Sequence, residues 1–413
     1  MAKSAKWTWL VYMAGDNNLE GAGKDDLVEM KQTGSTDDLN ILVQFDTEQN
    51  KTTRYRVEKG TLKILQEMPG VNCGDPKILT QFIDWGIQNH PAQYYLLDIW
   101  NHGGGWENLP ADYNYEAMRS ASPRSAIKIK RMKPALFRST INKIHRRPVE
   151  TRAIALDCHS QDYLDNQELR IAVSQAFPSN RKLDILGCDA CLMNMLEVAY
   201  EMKDTANYMV GSEETEPGAG WPYDTILKGL LKKPTMSSRD LAKSIPKAYG
   251  KYYLKSGEAT TQSALDLGKI EITAAAVSDL ADALIAALKK GTELDKTIDV
   301  INLARQYTQK FEMPEYLDLG DFCHKISVRF PKNASVKAAA AKILDSLNSP
   351  VGNALVIQNN TSGDAMKKAS GISIYFPEDK KQYSPDYGDL LFNKTYHWSQ
   401  FLITFFQQMV RLG

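Results

Sequence analysis

A histidine and a cysteine each follow an apolar segment that is predicted to be a strand. His102 stands after the run Tyr94–Trp100, and Cys191 stands after the run Leu183–Gly187. In an open α/β sheet the carboxyl ends of the strands form the edge where ligands bind. Both side chains can therefore lie at one edge, which is the arrangement that a nucleophilic thiol and its base require.

The residues around Cys191 favour a reactive thiol. A helical pattern begins at Leu192, so Cys191 is predicted at a helix N-terminus, where the dipole and free amides stabilise a thiolate or an oxyanion. Glycines 103 to 105 leave further N–H groups unobstructed beside His102. The alternative is that Cys191 only fills the core and that His102 only stands in a turn. From the residues alone both interpretations stay open.

The same residues are also compatible with other chemistry. Cys188 and Cys191 form a C-x-x-C pair, which is also typical of a dithiol redox pair or of half a zinc site. A zinc site needs two further ligands. The stretch from His102 to Gly105 is similar to the oxyanion loop of α/β-hydrolase esterases, but the chain has no Gly-x-Ser-x-Gly elbow.

The composition is that of an ordinary globular protein. The 413 residues are 43% hydrophobic and 24% charged, and 50 basic residues balance 50 acidic ones. This balance argues against nucleic-acid or membrane partners, and no apolar stretch is long enough to span a bilayer. Five cysteines are too few for a disulfide scaffold. The N-terminal run Trp7–Ala14 indicates a first strand and not a signal peptide, so we expect a cytoplasmic protein, with secretion left open.

Strand-like and helix-like segments alternate through the first half of the chain, which predicts an α/β fold with a mainly parallel central sheet. The predicted strands are Trp7–Ala14, Ile41–Asp46, Tyr94–Trp100, Ala153–Asp157, Leu183–Gly187 and Tyr208–Gly211. Tyr55–Leu65 indicates a hairpin that turns at Gly60. Beyond about residue 235 long helical patterns predominate, with a few strand candidates between them. We therefore predict a first domain over residues 1–235 and a C-terminal α+β region over 236–413 that packs on it.

One segment of the first domain departs from the rest in charge. From Arg119 to Arg147 the chain has ten basic side chains and no acidic one, and the remainder holds 40 basic and 50 acidic side chains. This tract is part of a basic insert over residues 107–150, between His102 and Cys191. Charge alone indicates a solvated insertion or a docking surface for an acidic partner.

Several motifs together resemble the clostripain-type cysteine peptidases, in the order that this family has them. The main ones are WLVYMAGDNNL at 9–19, NHGGGW at 101–106 and DACLM at 189–193. Weaker similarities are ALD at 155–157, DYL at 162–164 with EL at 168–169, GWPY at 220–223 and GISIYFP at 371–377. The His-Gly and Asp-Ala-Cys motifs are specific in combination, and the matches span most of the chain.

The resemblance implies a caspase-like three-layer sandwich and a Cys–His dyad. His102 matches the catalytic histidine and Cys191 the nucleophile, while Cys188 falls where the family commonly has an apolar packing residue. The backbone N–H groups of Gly103 and Cys191 correspond to the oxyanion hole. Asp189 matches the acid of the S1 pocket, which implies cleavage after Arg or Lys, and a buried carboxylate does pair well with guanidinium.

Asp189 has an alternative interpretation as an ordinary helix N-cap. In that case Glu213, Glu214 or Asp224 would be the pocket acid.

The resemblance also implies that the basic insert is an activation linker, because the family is commonly made as a precursor and cut between the histidine and cysteine strands. No cofactor is predicted. Some family members need calcium, but no calcium-loop motif occurs, so calcium is not assigned to any residue.

The prediction is therefore a cysteine endopeptidase that cleaves polypeptides after Arg or Lys and processes itself. Its oligomeric state is not predicted. A non-catalytic caspase-like binding protein that uses its basic tract is the main alternative, and a redox protein that uses Cys188 and Cys191 is the third.

Overall fold

A nine-stranded sheet runs through the part of the chain that the computed structural model describes, which is residues 4–106, 114–119, 154–177, 181–289, 293–348 and 354–412. The strands are β1 (Ala5–Gly15), β2 (Leu39–Thr47), β3 (Lys51–Glu58), β4 (Thr61–Pro69), β5 (Ala92–Trp100), β6 (Ile154–Asp157), β7 (Asp162–Leu164), β8 (Leu183–Asp189), β9 (Ala206–Gly211), β10 (Thr260–Asp266), β11 (Tyr316–Asp318), β12 (Val356–Ser362) and β13 (Ser373–Tyr375). The sheet order is β12-β10-β9-β8-β5-β1-β2-β3-β4, while β6 pairs with β7 and β11 pairs with β13 in two small sheets.

The five central strands, β2, β1, β5, β8 and β9, are parallel, and antiparallel strands extend the sheet on both sides. In β1, Leu10 and Tyr12 face one hydrophobic core, whereas Trp9 and Val11 face a second core on the other side. Strands that are covered on both faces need apolar side chains at successive positions. This explains the uniformly apolar runs, and the predicted mainly parallel central sheet is confirmed.

Helices cover both faces, so the sheet is the middle layer of three. The helices are α1 (Glu20–Thr33), α2 (Pro76–Asn89), α3 (Tyr115–Arg119), α4 (Asn166–Ala176), α5 (Leu196–Met202), α6 (Tyr223–Lys232), α7 (Ser238–Ser256), α8 (Ile270–Leu288), α9 (Leu294–Tyr307), α10 (Leu319–Arg329), α11 (Ala334–Leu347), α12 (Leu391–Thr395) and α13 (Trp398–Leu412). Helices α1, α6 and α7 pack in the core that contains Trp9, and α2, α4 and α8 pack in the core that contains Leu10. Across the described residues, every helix is too short or too polar to cross a lipid bilayer.

The predicted elements are present with shifted ends, and two features differ. The hairpin is confirmed as β3 and β4, with Gly60 at φ 81° in the turn. Ile154–Asp157 pairs only with β7, outside the main sheet, because the chain turns back within a few residues. The C-terminal region supplies β10 and β12 to the main sheet itself, beyond β9. The domain boundary at 235 stays a prediction.

The basic insert, apart from residues 114–119, lies outside the described residues. Arg119 is the last residue of this described part. Its guanidinium donates a hydrogen bond to the Glu48 carbonyl, with 3.0 Å between Nη2 and O.

Candidate active site

Strands β5 and β8 bring the predicted histidine and cysteine to one edge of the sheet. They pair in parallel, and Trp100 lies opposite Asp189 in the register. His102 and Cys191 each follow that pair by two residues. The two side chains that the sequence singled out are therefore attached to adjacent strand ends.

Neutral amides hold the segment that carries His102. The side-chain amide of Asn101 donates to the carbonyl oxygens of Ala14 and Leu156, which lie in β1 and in β6. The ring of His102 contacts the side chain of Asn18, with 2.7 Å between Nε2 and Oδ1. Since the Asn18 oxygen can only accept, Nε2 is the nitrogen that donates in this contact.

Cys191 lies in an acidic surrounding. Its side chain is buried, and Sγ accepts a hydrogen bond from the Glu216 backbone N–H at 3.3 Å. Burial, reinforced by the neighbouring acids Glu216, Glu214 and Asp189, raises the pKa of the Cys191 thiol to about 12. The resting residue is a protonated thiol.

The expectation that Cys191 begins a helix is wrong. Helix α5 begins at Leu196, and the backbone at Leu192 instead adopts a positive φ of 62°. Asn194 holds this segment extended, because its N–H donates to the Ser212 carbonyl and its side-chain amide donates to the Ser263 hydroxyl and the Gly371 carbonyl. Pairing with neighbouring strands therefore replaces the first helical turn, and the helix dipole does not act on Cys191.

Gly103 lies directly against the cysteine segment. A Cβ atom at this position would be 2.6 Å from the Cys191 carbonyl oxygen and 3.2 Å from the Met193 side chain. Only glycine permits this approach, which brings the backbone after β5 against the backbone after β8.

Cys188 lies inside β8, whereas Cys191 lies beyond its end. It is fully buried within β8 and belongs to the hydrophobic core. All five cysteines are buried and free. These facts support the interpretation of Cys188 as a packing residue.

Asp189 is a buried acceptor at the end of β8. Its Oδ2 accepts from the Tyr223 hydroxyl at 2.7 Å and from the Trp221 N–H at 3.1 Å. Its carboxyl is also hydrogen-bonded to the Glu216 carboxyl. Burial raises the pKa of Asp189 to about 6, although these bonds lower it. Because no helix begins here, the N-cap interpretation of Asp189 is wrong.

Gly220 lies directly against this acid. Gly220 has a φ of 54°, and a Cβ atom there would be 3.0 Å from Asp189 Oδ2. A larger residue would therefore strain the backbone and crowd the carboxylate.

The other three candidate acids have different partners. Glu213 accepts from the Gly371 N–H and shares a hydrogen bond with Asp318. Glu214 accepts from the backbone N–H groups of Thr215 and Glu312. Asp224 forms an exposed ion pair with Lys228 one turn along α6, with 2.8 Å between the charged atoms.

One grouping of described residues has ligand atoms close enough to hold a metal ion, namely Asp46, Cys73 and Asp157, within 4.8 Å of one another. Its carboxylates already have donors: Asp46 accepts from Thr52, and Asp157 accepts from the N–H groups of Cys73 and Ser160. The grouping serves as a set of acceptors that joins the ends of β2 and β6 to the loop before α2.

The sheet with helices on both faces is the caspase-like fold of cysteine peptidases. A secreted C11 cysteine protease from Bacteroides thetaiotaomicron, solved with an irreversible peptide inhibitor, superposes with a TM-score of 0.62 at 19% identity over 96% of this chain and 99% of that one. An inactive zymogen C11 protease from Parabacteroides distasonis gives a TM-score of 0.63 at 21% identity over the same shares of the two chains.

The sequence comparisons define the family. The clostripain family model matches residues 11–136 and 142–405. Clostripain from Hathewaya histolytica is 25% identical over 459 residues, which cover 96% of this chain and 79% of clostripain. The chain belongs to the clostripain family and is a cysteine peptidase.

Sequence reasoning gave no role to three residues of this site. Asn18 lies within a quoted motif, and its position just after the first strand was the available signal. Glu216 lies beyond β9 and carries no motif signal of its own, whereas Tyr223 ends the GWPY motif, which gave no role to its hydroxyl. They approach Asp189 only because the chain after β9 folds back across the ends of β5 and β8.

Proposed function

We propose that this chain is a cysteine endopeptidase that cleaves after Arg or Lys, with Cys191 as nucleophile and His102 as base. The observation that carries the proposal is the register of β5 and β8, which attaches both residues to adjacent strand ends. The amide oxygen of Asn18 supports the role of His102, because it selects the tautomer whose Nδ1 can accept a proton.

In the proposed reaction, His102 Nδ1 accepts the Cys191 Sγ proton as the sulfur attacks the scissile carbonyl carbon. The backbone N–H groups of Gly103 and Cys191 donate to the resulting oxyanion, a role that their close approach supports. The imidazolium then protonates the leaving amine and a thioester remains. Water attacks the thioester with His102 as base, which releases the carboxylic acid and restores the thiol.

Specificity for basic residues is proposed from Asp189. It is the buried acid nearest in sequence to Cys191, and it contacts another acid rather than a cation. A guanidinium or ammonium group of the residue before the scissile bond would compensate its charge.

Self-processing in the Arg119–Arg147 tract is part of the proposal. The tract offers ten basic residues between two adjacent strands, so its effective concentration at the site is high. The zymogen relative from Parabacteroides distasonis supports a precursor stage.

The test uses the purified chain with fluorogenic peptides that differ only in the residue before the scissile bond. We expect turnover with Arg and Lys, little with Ala or Glu, and two fragments on a denaturing gel. Fragments should begin after an Arg or Lys of the tract, and Cys191→Ala should stay intact. A chain that binds peptides but never hydrolyses them would instead support a non-catalytic binding protein.

A further inference from the structure

Asp189 belongs to a chain of buried carboxyls that contains too few donors for all of them to be ionised. The Tyr223 hydroxyl lies 2.7 Å from Asp189 Oδ2 and 3.0 Å from Asp98 Oδ2. A hydroxyl has one hydrogen, so it donates to only one of these oxygens. The other contact is a hydrogen bond only if that carboxyl is protonated and donates to the tyrosine oxygen.

Asp189 contacts a second carboxyl on its other side. The carboxyls of Glu216 and Asp189 are hydrogen-bonded to each other, which requires a proton on one of them. Glu216 Oε1 accepts from the Gln262 amide at 3.2 Å, whereas no donor reaches the buried Oε2. An oxygen without a donor is the one expected to carry a proton, and this places the proton on Glu216.

Asp189 is the best anion of the three acids, because Asp98 and Glu216 each have a buried carboxyl oxygen without a partner, whereas neither oxygen of Asp189 is in that state. It accepts from the Trp221 N–H, the Tyr223 hydroxyl and the Glu216 carboxyl. Asp98 receives an indole N–H from Trp9 at 3.4 Å, and its Oδ1 is buried without a partner. Hydrogen bonds to the charged form favour ionisation, so the charge concentrates on Asp189.

The groups that face Asp189 from the packed elements are acids, tyrosines and thiols. They are Asp26 and Glu29 of α1, Asp98 of β5, Cys188 of β8 and the following Cys191, Glu216 beyond β9, Tyr223 of α6, and Tyr249 and Tyr253 of α7. The pKa directions agree with the hydrogen count. Burial raises the pKa values of Asp98, Glu216 and Asp189 alike, which disfavours three negative charges in this cluster.

We propose that Glu216 and Asp98 are neutral acids that hold a single negative charge on Asp189, so that the pocket matches a side chain with one positive charge. Glu216 is then a specificity-determining positioning residue: it acts through Asp189 and does not pair with the substrate cation as a second anion. Its backbone N–H also donates to Cys191 Sγ, so one residue contacts both the nucleophile and the pocket acid. The proposal rests on the proposed cleavage after basic residues.

The experiment compares peptides with Arg or citrulline before the scissile bond, because citrulline is the uncharged isostere of arginine. The ratio of the two kcat/KM values reports the pocket charge, since ionisation of Cys191 and His102 affects both substrates alike. In the wild type the ratio should be high above about pH 6 and fall as the pH drops below that value, because Asp189 becomes protonated. Turnover of the citrulline peptide controls for folding in every variant.

Three variants separate the roles at neutral pH. Asp189→Asn should lower the ratio by about 10². Glu216→Gln should leave it within about threefold, because the amide N–H replaces the carboxyl O–H as donor to Asp189. Glu216→Ala should lower it by about tenfold, since one donor to the buried anion is lost.

Two results would overturn the proposal. One is a Glu216→Gln variant as unselective as Asp189→Asn, which would make Glu216 a second anion. The other is a wild-type ratio that does not change between pH 5 and 8. A wild type that prefers citrulline or shows no preference would refute cleavage after basic residues itself, which is a different failure.

Discussion

The ends of β5 and β8 are neighbours in the sheet, but the groups around their reactive side chains differ in kind. At the end of β5, neutral amides of Asn101 and Asn18 fix the segment and the ring of His102. At the end of β8, Cys191 lies among carboxyls and its pKa is raised to about 12. The proposed base is thus positioned by amide groups, whereas burial, reinforced by nearby acids, holds the proposed nucleophile as a thiol.

This difference separates the proposed recognition of the substrate from the proposed activation of the nucleophile, which involve adjacent residues. Acids that bind a basic side chain disfavour a thiolate beside them. A substrate cation would neutralise that charge as it binds, so proton transfer from Cys191 becomes easier only when the correct side chain is present. The proposed specificity and the proposed reactivity are therefore coupled through charge.

The largest expected effect is at the end of β8. Cys191→Ala should abolish turnover, because no other sulfur at this edge can form the thioester. Peptide hydrolysis by the purified variant measures this, with unchanged thermal unfolding as control. Retained activity would contradict the assignment of Cys191.

At the end of β5 the expected loss is smaller. His102→Ala should lower kcat on the order of 10² or more while KM changes little, because proton transfer is lost and the pocket is kept. His324→Ala on α10 is the matched control and should behave as wild type. A near-normal kcat in His102→Ala would mean that another group is the base.

The raised pKa of Cys191 predicts how its alkylation in the substrate-free enzyme depends on pH. Because the thiol pKa is raised to about 12, the thiolate fraction and the iodoacetamide rate should rise about tenfold per pH unit between pH 7 and 9. Mass spectrometry of Cys191 after timed alkylation gives the rate. A rate that is constant over this range would indicate a resting thiolate, and the two strand ends would then not differ as described.

Substitutions of Asn18 test whether an amide group positions His102 at the end of β5. Asn18→Ala should lower kcat about fivefold, the equivalent of about 1 kcal/mol for one lost hydrogen bond, because the His102 ring loses its acceptor. Asn18→Asp keeps an acceptor oxygen and should restore most of kcat. Its negative charge should raise the pKa of His102 and move the acidic limb of the pH–rate profile to higher pH. Identical pH profiles in all three proteins would reduce Asn18 to a packing role.

The smallest effect is expected at Cys188. Cys188→Ala should keep kcat within about twofold and lower the free energy of unfolding by about 1 kcal/mol, because a small buried side chain is removed. Peptide turnover and denaturant unfolding measure the two quantities. A large loss of kcat without a loss of stability would restore the redox interpretation of the Cys188–Cys191 pair.

The sequence predicted the sheet and the placement of His102 and Cys191, since both depend on patterns within a few residues. It misplaced the helix after Cys191, because the segment from Leu192 to Met195 has a helical pattern but pairs with strands that come later in the chain. In this segment, tertiary hydrogen bonds outweigh the local helix propensity.

The acids around Asp189 could not be found from spacing. Asp98 reads as one polar residue in the apolar strand β5, and Glu216 reads as one acid of an acidic loop. Only the register of β5 with β8 and the fold of the chain after β9 bring them together. The distribution of protons among these carboxyls likewise depends on interatomic distances that no sequence pattern provides.

The anchoring of Asn194 has a consequence for the order in which the molecule is made. Its side-chain amide donates to Ser263 and Gly371, which are 69 and 177 residues further along the chain. At about 5–20 residues per second, a ribosome needs roughly 10–35 s to travel from Asn194 to Gly371. During that interval the segment that carries Cys191 lacks the hydrogen bond from the Asn194 side chain to the Gly371 carbonyl. The segment that carries Cys191 is therefore fully anchored only after Gly371 has been synthesised.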